Sequence, residues 1–238
     1  MKKLVVIPTY NEIENIERMI QKVMSLDGDF DLLIVDDGSP DGTASAVEEL
    51  QKQFSQRLHL LERGSKQGLG TAYIAAFRWA LEQDYEAVFE MDCDFSHNPD
   101  DLLRLAESLE VSSDVVIGSR YSKGVNVVNW PMSRLLMSYF ASKYVRIVTR
   151  MPIADATAGF VGYRREVLES IDFDRIKMIG YGFQIEMKYT AWKLGFKIEE
   201  LSIIFVDRTE GTSKMSSGIF GEAFWGVLKL PWRKIAKR

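Results

Sequence analysis

Short apolar, β-branched runs alternate with amphipathic stretches from the first residues onward, and this alternation constrains the fold more than any other feature. Residues 4–7, 32–35, 58–61 and 87–89 read as buried strands. Between them lie a helical pattern through Ile13, Ile16, Ile20 and Val23, a second over 43–54 and a third over 71–83. Asn11 is placed to cap the first helix, with Glu12 and Glu14 near its positive end. Residues 36–43 (Asp-Asp-Gly-Ser-Pro-Asp-Gly-Thr) and the glycine-bearing 64–70 are loops. Such repetition predicts a doubly wound, mostly parallel α/β sheet flanked by helices. In these sheets ligands bind beyond the carboxyl ends of the strands.

Three strand ends, Pro8 to Glu12, Asp36-Asp37 and Asp92-Cys93-Asp94, therefore fall on one rim. In a turn past a strand end, Asp92 and Asp94 can converge on one point. Two close carboxylates repel each other unless something positive sits between them. A hard divalent cation suits the role, because it prefers oxygen ligands and leaves room for substrate phosphates. The simpler alternative is that one Asp caps a helix starting near Pro99 and the other is solvated. Asp-x-Asp alone is weakly specific.

The second half continues with a strand over 115–117 and its exit Gly118-Ser119-Arg120-Tyr121. A helix over 131–149 carries Arg134 and Ser138 one turn apart. Residues 155–160 lead into a short strand and a helix from Arg165; a further helix opens at 182–186 and a strand covers 198–206. Residues 208–214 form a polar loop. With no repeat or composition break in 238 residues, one domain over 1–217 is expected, followed by a tail over 218–238. In the tail, Ile219, Phe220, Ala223, Phe224, Val227 and Leu228 make an apolar stripe at helical spacing. Trp225 and Trp232 accompany it, and Lys229, Arg233, Lys234, Lys237 and Arg238 crowd its end. Such an amphipathic basic helix suits an anionic membrane surface. The alternative is that the stripe packs on the domain.

Composition narrows the function. A hydrophobic fraction of 46% supports a substantial core, and a net charge of -4 argues against a nucleic-acid partner. The single cysteine, Cys93, excludes an internal disulfide and fits a reducing compartment. The apolar run before Pro8 is too short for a signal peptide, and no stretch of about 18 uncharged apolar residues predicts a transmembrane helix.

Taken together, the segments 7–12, 35–43, 68–72 and 91–99 resemble family 2 glycosyltransferases of the GT-A fold, most closely the dolichyl-phosphate (polyprenol-phosphate) mannose synthases. Residues 118–121, 155–160, 181–186 and 208–214 extend the likeness over nearly the whole chain. The resemblance implies a nucleotide-sugar half over 1–117 and an acceptor half over 118–217. Pro8, Tyr10, Glu12, Val35 and Asp37 would then hold the nucleoside of GDP-mannose. Asp92 and Asp94 would hold Mg²⁺ or Mn²⁺ on the diphosphate, with Cys93 contributing backbone. Ser96 stands where some relatives have a longer Gln ligand. Arg120, Arg134, Ser138, Arg208 and Lys214 would surround the donor diphosphate and the acceptor phosphate, arginine offering a planar fork and lysine a point charge. Asp155 and Gln184 would line the sugar pocket. For Glu186 a structural role is equally open.

The expected reaction is inverting transfer of mannose to a polyprenyl or dolichyl phosphate. Asp92, Asp94, Arg208 and Lys214 would carry it, on the cytoplasmic face of a membrane. Several relatives have C-terminal transmembrane helices, so peripheral attachment through the tail, with a membrane-embedded partner subunit, is the corresponding expectation. A UDP-glucose (or other UDP-sugar) polyprenyl-phosphate transferase and a non-catalytic nucleotide-sugar-binding subunit are the alternatives.

Overall fold

The computed structural model describes residues 1–208 and 218–238. Strands β1 (Lys3–Thr9), β2 (Phe30–Asp36), β3 (Leu58–Glu62) and β4 (Ala87–Glu90) lie in the order β3-β2-β1-β4, all parallel. Helices α1 (Ile16–Met24), α2 (Thr43–Gln51) and α3 (Leu69–Leu81) connect them. After β4 come α4 (Asp101–Val111), β5 (Val115–Ser119), a two-residue β6 (Val127–Val128) and the long α5 (Met132–Thr149). The chain then forms β7 (Val161–Arg164), α6 (Arg165–Ser170), α7 (Tyr181–Lys193), β8 (Ile198–Ser202), β9 (Phe205–Val206) and α8 (Gly218–Lys229).

The main sheet has seven strands in the order β3-β2-β1-β4-β7-β5-β8. β7 runs antiparallel to both neighbours, and every other pairing in this sheet is parallel. Alternate residues serve the two faces. Leu4, Val6, Leu33 and Val35 pack with Tyr73 and Phe77 of α3 and Phe183 and Met187 of α7. Val5, Ile7, Leu32 and Ile34 pack with Ile16, Met19 and Ile20 of α1, Val47 of α2 and Leu105 of α4. Both faces are covered, which is why the strands are apolar throughout rather than alternating. β7 fits between β4 and β5 because Gly162 has no side chain. A Cβ there would meet the Phe89 ring at 2.7 Å and Val116 at 2.9 Å.

The structure departs from the sequence expectations at several points. The cap of α1 is Asn15, not Asn11, and no side-chain bond forms there. Asn11 instead takes a left-handed backbone (φ 56°) and donates its N–H to Ser39 Oγ at 2.9 Å. The loop that shapes the rim thus claims the residue before the helix starts. α2 ends at Gln51, and α3 spans Leu69–Leu81. The expected strand over 198–206 is broken: β8 joins the main sheet, while β9 pairs with β6 in a separate parallel pair. Ile203, between them, is buried and Ile204 is exposed. The tail does pack on the domain through Val227 and Leu230, yet Phe224 and Trp225 stay exposed. Its end is tied down, because Asp172 N–H donates to the Ala236 carbonyl and Arg238 N–H to that of Ser170. No described helix is long and apolar enough to cross a membrane.

Candidate active site

The carboxyl ends of β1, β2, β3 and β4 meet at one rim, as parallel register dictates. Behind β1, Glu12 anchors the turn: its carbonyl accepts the N–H groups of Asn15 and Ile16. Its own N–H donates to Thr43 Oγ1 at 3.0 Å, and its carboxylate accepts from Asn15. Pro8 lies opposite Val35 in the β1–β2 register. The Val35 side chain is wholly buried in the core, so only its backbone can face a ligand. Lys66 Nζ lies 4.8 Å from the Tyr10 ring centroid.

The two acids after β2 have separate tasks. Asp36 is buried and organises the turn, accepting from Thr9 Oγ1 at 3.0 Å and from Ser39 N–H and Oγ at 2.7 and 2.6 Å. Asp37 turns toward Arg63, whose Nε donates to it at 2.7 Å. Both terminal nitrogens of Arg63 also reach Thr71 Oγ1 at 3.0 Å. Burial raises the Asp37 carboxyl, and the Arg63 charge opposes that rise. The sequence reading passed over Arg63, although its position directly after β3, on the same rim, was the available signal.

At the end of β4 the chain makes a tight turn, with Phe95 in left-handed backbone (φ 58°). A non-glycine residue held there is the kind of local strain that gathers at functional sites. The turn brings Asp94 Oδ2 to 2.9 Å from Arg208 Nη2, while Asp94 Oδ1 accepts the Ser96 N–H at 3.0 Å. Asp92 keeps 42% of its side chain in solvent. Burial raises the Asp92 carboxyl and so does the charge of Asp94; Arg208 offsets only part of this. Because Asp92 is partly open, repulsion from Asp94 is the firmer cause. Cys93 points away into the core. The helix that follows has Asp100 at its cap, without a side-chain bond. Neither Asp92 nor Asp94 is spent on capping.

His97 completes the turn. Its Nδ1 accepts the Asp92 N–H at 3.3 Å, and its ring stacks on Phe160 at 5.0 Å and meets Phe205 edge-on at 5.2 Å. Burial lowers its basicity, so the ring stays neutral and acts as a fixed acceptor.

The donor set fits a hard divalent cation. Two carboxylates lie one residue apart, and their mutual repulsion would be relieved by positive charge. Beside them the Ser96 hydroxyl is buried with no hydrogen-bond partner among the described residues. Among those residues no three His, Cys, Asp or Glu come together, so substrate oxygens would have to complete the shell, as Mg²⁺ commonly accepts.

The acceptor-side residues are placed less openly than expected. Arg120 is closed onto Asp155 in a buried fork: Nε to Oδ2 at 2.7 Å and Nη2 to Oδ1 at 2.6 Å, with the Arg120 N–H on Oδ2 at 2.9 Å. Asp155 is wholly buried; burial pushes its carboxyl up, but the Arg120 charge and hydrogen bonds prevail and hold it below the usual carboxylate range. It faces Arg120 rather than an open sugar pocket. Arg134 donates to Asp207 at 2.6 Å and lies 4.3 Å from the Trp130 ring centroid. Ser138 accepts from the Tyr121 hydroxyl at 2.9 Å. Lys214 lies outside the described residues.

Gln184 is buried on α7. Beside it lies Glu90, two residues before Asp92 and fully buried; burial pushes its carboxyl up to about 8, while the Lys188 charge and the Gln184 amide oppose that rise. Lys188, one turn beyond Gln184, donates to the carbonyls of Ala156 at 3.1 Å and Ala158 at 2.5 Å, and burial lowers it to about 8. Glu90 and Lys188 escaped the sequence reading because each sits inside an element that reads as core. Glu186 is structural: it accepts the Lys177 and Met178 N–H groups at 2.9 and 2.8 Å and Arg233 Nη1 at 3.2 Å.

Comparison with known proteins agrees with this architecture. The family profile described as glycosyl transferase family 2 matches residues 4–172. An undecaprenyl-phosphate mannosyltransferase of Micrococcus luteus is 44% identical over 229 residues, covering 96% of this chain and 93% of the relative. A polyprenol monophosphomannose synthase of Mycolicibacterium smegmatis is 43% identical over 231 residues, covering 95% and 87%. Among solved structures, glucosyl-3-phosphoglycerate synthase from Mycobacterium tuberculosis in complex with Mn²⁺, UDP-glucose and phosphoglyceric acid aligns with a TM-score of 0.69 at 17% identity, covering 96% of this chain and 78% of that one. The same enzyme with Mg²⁺ and UDP aligns at 0.67 and 19%, covering 96% and 77%. The chain belongs to glycosyl transferase family 2 and has the GT-A fold.

Proposed function

We propose that this protein moves mannose from GDP-mannose to a polyprenyl phosphate with inversion at the anomeric carbon. The observation that carries the reading is the pairing of Asp94 with Arg208 at 2.9 Å beside the partly open Asp92. A cation-accepting carboxylate pair and a phosphate-binding guanidinium share one point on the rim. The two polyprenyl-phosphate mannosyltransferases at 43–44% identity support the choice of sugar and acceptor.

In this reading Tyr10, Glu12 and Asp37 hold the nucleoside, and Arg63 keeps the Asp37 carboxylate oriented toward base or ribose donors. Asp92 and Asp94, with Ser96 beside them, would hold Mg²⁺ or Mn²⁺. A bound ion would supply charge neutralisation for the departing diphosphate. Arg208 and Lys214 meet the negative charge of the two substrates. A monoester phosphate, with a second pKa near ~6, is already ionised and needs no general base. Its oxygen attacks the anomeric carbon in line, and the bond to the GDP oxygen breaks with its electron pair leaving on the diphosphate. What remains for the protein is positioning and charge stabilisation. Arg134 and Ser138 face the acceptor phosphate, which would compete with Asp207 for the Arg134 fork. The Arg120–Asp155 pair holds this half in shape.

Calorimetric titration of GDP-mannose, UDP-glucose and UDP-GlcNAc, each with and without Mn²⁺, tests the donor. Metal-dependent binding of GDP-mannose alone is expected, followed by transfer to polyprenyl phosphate. Preference for a UDP-sugar would overturn the donor assignment and leave the site chemistry intact.

A further inference from the structure

Arg134 is held in two ways at once. Its Nη1 donates to Asp207 Oδ1 at 2.6 Å, and its guanidinium lies over the Trp130 ring, 4.3 Å from the centroid. The two contacts use different parts of the group. A guanidinium donates hydrogen bonds along its edge and packs on an aromatic ring through its face. A ligand that takes the edge therefore need not displace the ring.

Local structure brings the three residues together. Trp130 precedes Pro131, the cap of α5, and Arg134 sits in the first turn of that helix. A bulky residue just before a cap can fold back over the first turn, as in a hydrophobic staple. On the other side, Val128 of β6 pairs with Val206 of β9, and the Asp207 N–H donates to the Val128 carbonyl at 3.0 Å. This parallel pair sets Asp207 against the residues that lead into α5. Trp130 is held in turn by Phe205, buried on β9, whose ring it meets edge-on at 5.2 Å.

Arg120 shares the same aromatic wall but is spent. Its guanidinium lies 5.3 Å from Tyr121, 5.5 Å from Trp130 and 5.6 Å from Phe205, while Asp155 and Thr157 close its edge. Only 10% of the Arg120 side chain and none of Asp155 meets solvent. Arg134 and Asp207 keep 36 and 25%. A partly open ion pair exchanges readily, because water and salt leave it little net free energy. Of the two arginines, Arg134 is the one whose edge an incoming anion can claim.

We propose that Trp130 and Asp207 are opposed positioning residues for Arg134. Trp130 holds the guanidinium by its face throughout. Asp207 occupies the edge as a placeholder carboxylate until a phosphate monoester displaces it. This deepens the reading of Arg134 as a ligand of the acceptor phosphate and rests on it. Without the ring, a long side chain would have to be ordered at the moment of binding, which costs affinity. With the carboxylate present, the empty site stays ordered, and each incoming anion must outcompete a like charge. Removing the ring and removing the carboxylate charge should therefore move phosphate affinity in opposite directions.

The test is calorimetric titration of the full chain with farnesyl phosphate, a short polyprenyl monophosphate, with farnesol as the uncharged control and without sugar donor or metal. Trp130→Leu is expected to raise Kd at least about fivefold, and Trp130→Phe to recover most of that loss. Asp207→Asn keeps an oxygen for the Arg208 N–H and should lower Kd about threefold or more. A merely structural role would weaken binding in both variants. Equal Kd for Trp130→Leu and the wild type, or weaker binding by Asp207→Asn, would overturn the proposal. Should Trp130→Leu not fold, the sign of the Asp207→Asn change and the Kd of Trp130→Phe decide. Arg134→Ala separates this proposal from the reading beneath it. If that variant binds farnesyl phosphate as well as the wild type does, the acceptor reading fails and the proposal falls with it. If Arg134→Ala loses binding and Trp130→Leu does not, the acceptor reading stands and the proposal alone is wrong.

Discussion

Asp94 ties two segments of the candidate site together, with one oxygen on Arg208 and the other on the Ser96 N–H. Replacing it by Asn keeps the size and removes the charge. Transfer should then fall about 10²-fold or more, without recovery at high Mn²⁺, in a radiolabelled mannosyl-lipid assay. Chelation of the wild type should silence the same assay, and Mg²⁺ or Mn²⁺ should restore it. The buried fork of Arg120 on Asp155 makes a different prediction. Asp155→Ala leaves a guanidinium buried without its counter-charge, so unfolding in urea should show a loss of about 3–5 kcal/mol. His97 contributes through its neutral form. Its folded pKa lies below the unfolded value near ~6.5, so its stabilisation is complete above that pH and is lost as pH falls through the folded value of about 4. In chelator, the wild-type melting temperature should drop more steeply between about pH 6.5 and 4 than that of His97→Gln.

Among the elements, β7 governs the second half of the sheet. It is a four-residue strand inserted antiparallel between two parallel neighbours, and Gly162 gives Phe89 and Val116 the space they occupy. Gly162→Val should cost about 1–3 kcal/mol by overpacking, read as a lower urea midpoint with an unchanged slope. The strands of the first half were legible because each is a short apolar run between turn formers. β7 was legible as a strand but not in its direction, because direction depends on which neighbours it pairs with. The break between β8 and β9 was hidden for the same reason. The sequence from Ile198 to Val206 is compatible with one strand, and only the competing partner β6 divides it. For α5 the sequence revealed a helix and its two candidate phosphate ligands. Which side faced inward depended on the elements it packs against, α8 and the turn over 230–232.

At the scale of the molecule, the end of the chain acts as a strap. Leu230 and Ala236 are buried, residues 236 and 238 make backbone bonds to Asp172 and to Ser170 at the end of α6, and Arg233 reaches Glu186. Removing residues 230–238 should lower stability by about 2–4 kcal/mol, chiefly through lost apolar burial, measured by chemical denaturation. The amino-acid sequence by itself determined the layered α/β architecture, the shared rim of strand ends and the Asp92–Asp94 pair. Apolar periodicity, turn chemistry and parallel strand polarity are local properties that add up along the chain. The tertiary structure alone decided which charges are spent on each other and which remain for ligands. Asp36 goes to its turn, Asp37 to Arg63, Asp155 to Arg120 and Glu186 to Arg233. Each pairing joins a carboxylate to a partner fixed by packing. A charged side chain carries no sign in its own sequence neighbourhood of whether the fold will bring its opposite within about 3 Å.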